Sequence, residues 1–172
     1  MKRLFLLIAA IWIPVIGYSE YVPTPDLAMS FKMGDDHRNW TMVSQNGNRN
    51  AIIAEFTVDK EDINNWSEMV AQQIDFGTLS LDQHFRNWVA MLKRADPKIV
   101  ITEDHAADGS ILATYDSKAF DEVSVRRFVK GTDGIYMLAY HVRHRVKNAD
   151  TWNLWIKIVS KASLVPNPLR RK

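Results

Sequence analysis

His37, His84, His105, His141 and His144 are the five histidines of the chain, and there is no cysteine. Any imidazole base or imidazole metal ligand must therefore come from those five, and thiolate nucleophiles, thiolate metal sites and disulfides are excluded. Serines are plentiful, but no Gly-x-Ser-x-Gly elbow places one as a nucleophile. His141 and His144 fall in a stretch that reads as a strand, where residues three apart point to opposite faces, so they cannot share a metal without a bulge. Glu103, Asp104 and His105 with Asp108 form the densest local set of donor atoms, but their spacing matches no known ligand pattern and suits a solvated acidic turn. No catalytic residue, resident metal or cofactor is assigned.

Two sets of residues carry a binding chemistry instead. Arg127, Arg143, Arg145 and Lys147 lie on or just after neighbouring strands and would form an anion- or partner-binding edge. Gly131 to Gly134 reads as a tight hairpin that sets Arg126 or Arg127 opposite residues 138–140 and Arg143 near Asp121 and Glu122. Cross-strand charge pairs then compete with any such edge. Asn65, Trp66 and Glu68 would form a recognition patch with Trp66 as its anchor. The competing reading packs Trp66 on the sheet, with an asparagine and Glu68 capping a helix.

Positioning these residues requires the following elements. Tyr21 to Asp26 holds two prolines and reads as an extended linker, placed over residues 20–27. Leu27–Met33, Trp40–Gln45 and Ala51–Phe56 alternate as strands, with an Asp35-Asp36 turn and an Asn46-Gly47-Asn48 hairpin between them. Ile63, Trp66, Met69, Val70 and Gln73 recur at helical spacing from Asp62. A second helix begins at the cap Ser80, carries Leu81, Phe85, Trp88, Val89 and Leu92 on one face, and stops at Asp96-Pro97. Strands are expected near Ile99–Glu103, Ser110–Tyr115, Glu122–Lys130 and Gly134–Arg145. A last helix, capped by Asp150, carries Trp152, Trp155, Ile156 and Val159. The predicted fold is α+β, with a largely antiparallel sheet of six to seven strands flanked by three helices in the order βββ-αα-ββββ-α. One domain spans residues 28–165, followed by a basic tail at 166–172.

The N-terminus reads Met1-Lys2-Arg3, then an uncharged apolar run from Leu4 to Gly17, then Ser19 before Glu20. A basic start, a short apolar run and small residues two apart form a secretory signal, with cleavage expected after Ser19. The run is shorter than the roughly 20 apolar residues of a spanning helix. The expected location is the periplasm or outside the cell, without the lipid anchor that a cleavage-site cysteine would carry. Removing Lys2 and Arg3 from 22 basic residues leaves 20, against 20 acidic ones. The basic pI of 8.8 therefore gives no argument for nucleic acid. Residues 118–172 keep 12 basic against 4 acidic side chains, and residues 20–117 carry 8 against 16. Such a polarised surface could steer an acidic envelope protein or anionic lipid head groups.

Trp40, the Ile53-Ala54-Glu55-Phe56 strand, Asn65-Trp66-Ser67-Glu68-Met69, the Tyr136-to-His144 strand and the final tryptophan helix together resemble a family of uncharacterised exported bacterial proteins. The likeness covers most of residues 28–160, and its element order is similar to the Mog1/PsbP-like fold. The resemblance implies an exported assembly or binding factor and carries no chemistry onto particular residues. A protein-binding role in the envelope, as an accessory part of an assembly such as a secretion apparatus, leads; a small-anion binder on the basic edge is the alternative, with a hydrolase or metal enzyme last. Mass spectrometry of the protein recovered from its host's envelope fraction is expected to find Glu20 at the N-terminus. Recovery of a chain still beginning at Met1 would refute the cleavage.

Overall fold

The computed structural model describes residues 24–33 and 36–167. The expected signal peptide at 1–19, residues 20–23 of the expected linker, Asp35 of the expected turn and residues 168–172 of the expected tail lie outside the described residues. In chain order the elements are β1 (Leu27–Ser30), β2 (Trp40–Gly47), β3 (Ala51–Val58), β4 (Glu68–Phe76), α1 (Leu81–Ala95), β5 (Val100–His105), β6 (Ile111–Ser117), β7 (Glu122–Lys130), β8 (Gly134–Arg143), α2 (Ala149–Ser160) and β9 (Ser163–Pro166). A short 3-10 turn, His144–Val146, links β8 to α2. The seven-stranded sheet runs β2-β3-β4-β8-β7-β6-β5, and every pairing in it is antiparallel. β1 and β9 form a separate two-stranded sheet.

The α+β class and the large antiparallel sheet match the expectation, but two helices flank it rather than three. The helix expected from Asp62 is absent. Asp59 and Lys60 adopt left-handed backbone, with φ of 51° and 63°, residues 61–67 turn, and the chain enters β4 at Glu68. Helical spacing of Trp66, Val70 and Gln73 loses here because β4 lies between β3 and β8. Both neighbours offer it a full ladder of backbone partners, and such tertiary pairing overrides local pattern. Pro166, placed in the tail by sequence, is the last residue of β9, and the strand expected from Leu27 forms as β1, which ends at Ser30.

Side-chain alternation divides the core in two. On one sheet face Val123, Val125, Leu138, Tyr140 and Val142 pack against Trp155, Ile158 and Val159 of α2. On the other, Ile111, Ala113, Phe128 and Met137 meet Phe85, Trp88 and Leu92 of α1. Ser80 caps α1 through a box with Gln83, as its sequence predicts. α2 is capped by Asn148, whose side chain accepts from the Asp150 and Thr151 amides, and Asp150 lies inside the first turn. At the β7–β8 hairpin, a Cβ on Gly134 would sit 2.4 Å from the carbonyl oxygen of Asp75. Only glycine lets β4 and β8 pair to that end. No helix among the described residues is long and apolar enough to cross a membrane.

Trp155 is fully buried and stacks on Tyr140, with ring centroids 4.7 Å apart at 7°. Trp155→Ala is expected to cost about 3–5 kcal/mol, read as a lowered urea midpoint. A cost below about 1 kcal/mol would refute its place in the core.

Candidate functional site

After β1 the chain carries Phe31 and Met33 over the α2 face of the sheet and delivers Asp36 against α2. Asp36 is buried and accepts hydrogen bonds from the Trp155 indole Nε1 at 2.8 Å, the Arg38 amide at 3.0 Å, and Arg38 Nε and Nη2 at 2.9 and 2.7 Å. Arg38 Nη1 reaches Glu68 Oε1 at 2.5 Å, and Tyr140 donates to the other Glu68 oxygen. These contacts outweigh burial and hold the Asp36 carboxyl below its usual range. Burial, then the bond to Glu68, pushes the Tyr140 phenol far up. Arg38 is raised against the effect of its burial, by Asp36 and Glu68.

Beside this network lies a cleft of about 390 Å³ whose walls include Phe31, Met33, Trp40, Phe56 and Val70. A smaller one of about 110 Å³ continues along Ile52, Ala54 and Ile74 towards β1, and Gln72 borders both. A mostly apolar cleft of this size with a few polar groups at one end is a recognisable binding site. At its polar end the Asp36 carboxylate and the Arg38 guanidinium line the wall and are paired with each other. It suits apolar side chains or an apolar chain.

The opposite face holds a second charged cluster. Tyr115 donates to Glu122, and His141 Nδ1 lies 3.3 Å from the same Glu122 oxygen. Arg143 Cζ sits 4.0 Å from the centre of the Trp66 ring, and its guanidinium donates to the Phe120 carbonyl at 2.6 Å. Burial opposes it, but His141, Tyr115 and Arg143 hold the Glu122 carboxyl below its usual range. Tyr115 is pushed well up, by burial and then by Glu122. The acid is ionised, the phenol neutral, and Tyr115, Glu122 and His141 are all buried. The arrangement locks the sheet end.

The sequence-predicted residues are scattered by this geometry. Arg127 shares the α2 face with its partner Leu138 and pairs with Asp108 at 2.5 Å, whereas Arg143 lies on the α1 face at the other end of β7. Arg145 and Lys147 are exposed beyond β8, with Lys147 Nζ 5.0 Å from the Trp152 ring centre. The four cations do not form one edge. Asn65 is exposed in a turn, Trp66 is buried under Arg143, and Glu68 opens β4 on the opposite face. They form no single patch, and the capping role given to Glu68 falls with the absent helix. Glu103 and His105 alternate with Asp104 along β5, and Asp108 turns to Ser110 and Arg127. Among the described residues no three His, Asp or Glu side chains gather to hold a metal. His144 leaves the strand altogether and sits between Asp116 and Asp121, 2.9 and 3.3 Å away.

Sequence reasoning missed Asp36 and Arg38, whose spacing of two carries no recognisable signal, and it set Arg126 opposite residues 138–140 without giving it a role of its own. Arg126 is 7% exposed, with its Cζ 5.4 and 5.9 Å from the ring centres of Trp88 and Phe128. Its Nε is sealed from solvent with no acceptor, as is the Nε1 of Trp88. Burying a charge costs several kcal/mol, while such ring contacts return about 1–2 kcal/mol each. No protein-family model, curated protein or solved structure matches this chain.

Asp36 gives a pH signature. Its folded pKa lies below the unfolded value, so its contribution to stability is full above about pH 4 and is lost as pH falls through the folded pKa. Asp36→Asn is expected to cost about 1–3 kcal/mol at neutral pH, and the gap to the parent should shrink in urea titrations below pH 4. A gap constant from neutral pH to about pH 2 would refute the depressed carboxyl.

Proposed function

We propose that the chain is a non-enzymatic domain of the bacterial cell envelope that binds another envelope protein by accepting an extended segment of it along β2. It would then serve as an accessory part of a larger assembly, such as a secretion apparatus. Export is supported by the basic start, short apolar run and small residues before Glu20.

The observation that carries the binding mode is the character of the two sheet edges. β2 runs Trp40-Thr41-Met42-Val43-Ser44-Gln45-Asn46-Gly47 without an ionisable side chain, and Met42 is 51% exposed. Among the described residues no strand pairs with its outer side. The other edge, β5, carries Glu103, Asp104 and His105. Natural sheets blunt their edges with charge, and here only one edge is so protected. An extended partner would add backbone hydrogen bonds to β2 and seat alternate side chains beside it. A shift in register between Met42 and Ser44 interrupts this edge and confines a partner strand to one half. The half at Trp40–Met42 adjoins the apolar cleft through Trp40, so a partner lying there has a place for an apolar side chain.

A photo-crosslinking residue at Met42, in the protein expressed in its own host, is expected to form a discrete protein adduct. Met42→Lys should abolish partner recovery while changing stability by no more than about 0.5 kcal/mol. Adducts equally strong from β5 positions, or none from β2, would sink the reading.

A further inference from the structure

We infer that Arg126 is the recognition element of a second site, on the α1 face of the sheet, that takes a small carboxylate. The observation is a buried guanidinium with no counter-ion in contact. Among the described residues Arg38 is clamped by Asp36 and Glu68, Arg127 by Asp108, and Arg143 by Phe120 and Glu122. Arg126 is as deeply placed as any of these, yet no carboxylate lies within ion-pair distance of it, and its Nε–H, like that of Arg127, meets no acceptor. Guanidinium stays protonated under all ordinary conditions, so neutralisation offers no escape.

The surroundings hold the group still. The rings of Trp88 and Phe128 fix the guanidinium from the α1 side. Along the sheet the register sets Ala113 on one flank of Arg126 and Ala139, then Ala71, on the other. The indole N–H of Trp88, also buried without an acceptor, adds a second unanswered donor in the same contact group. A planar fork with a fixed orientation is the geometry that binds a carboxylate in bidentate fashion.

Charge selects among anions. Asp75 and Glu122 act on Arg126 through space without touching it. Asp75 is already engaged by Gln73 at 2.8 Å and faces His84 at 3.4 Å. Lys130, two residues beyond Phe128 on the same strand face, spends its ammonium on the carbonyls of Gly77 and Leu79. One uncommitted positive charge flanked by acids tolerates a single negative charge and disfavours a phosphate dianion.

The test is a titration of the intact, isotope-labelled chain with sodium acetate, following the Arg126 Nε–Hε resonance, with chloride holding ionic strength constant and inorganic phosphate as a parallel arm. Acetate is expected to shift that resonance saturably in the millimolar range, with phosphate weaker. Arg126→Lys should weaken acetate binding about tenfold, and Arg126→Met, which keeps the apolar stem, should abolish it. A resonance that acetate leaves unmoved would mean that the fork holds buried water only, which overturns the site. Tighter binding of phosphate than of acetate would overturn the ligand class. The wild-type titration decides both points even if neither variant folds.

Discussion

The constraint on which this fold rests is that its central strand is buried on both faces. Nine of the ten residues of β8 are buried, and its two sides are claimed by different helices. Tyr136, Leu138, Tyr140 and Val142 serve the α2 core, while Ile135 and Met137 serve the α1 core. A strand in that position cannot slip by one residue, because a slip exchanges every side chain between two cores of different shape. β4 and β7 inherit their registers from it. The helices themselves lie on opposite sides and are coupled only through the sheet.

That burial makes polar groups on the central strands expensive unless they are answered. Glu122, His141 and Tyr115 answer one another, and Glu68, Tyr140, Arg38 and Asp36 do so on the other side. The indole of Trp155 ties the second network to α2 across 119 residues of sequence. These are closed circuits that fix the sheet ends. Against that background the unanswered guanidinium of Arg126 stands apart, as does β2, whose outer backbone groups face no strand among the described residues.

Much of the fold was legible wherever local chemistry decides. The Ser80–Gln83 capping box, the Gly131–Gly134 hairpin and its register, with Arg126 opposite Ala139 and Arg143 opposite Glu122, follow from residue type and spacing. The β4 segment misled because Trp66, Val70 and Gln73 satisfy a helical period by coincidence, and only the flanking strands reveal the true partner of Met69 to Phe76. β9 was invisible because four residues ending in proline carry almost no pattern, and Asp36 joins Trp155 only once the chain has folded. Arg126 could have been found. Read at a period of two, β7 separates into Val123, Val125, Arg127 and Val129 on one side and Glu122, Ser124, Arg126, Phe128 and Lys130 on the other. A strand with so polar a side in the middle of a sheet has a reason for it.

The small β1–β9 sheet brings the two ends of the described chain to one place. Leu27 lies opposite Pro166, and the exit is fastened by Asn167, whose amide donates to the Asp26 carbonyl at 3.1 Å and whose side chain donates to the Pro25 carbonyl at 3.0 Å. Because both strands leave from the same end of an antiparallel pair, tension drawing them apart would load these bonds one after another, as a zip opens, instead of shearing them together. The fold thus has a mechanically soft seam next to a stiff sheet. A pull of modest size would peel β1 away from α2, taking Met29 out of the core, while the seven strands behind it held.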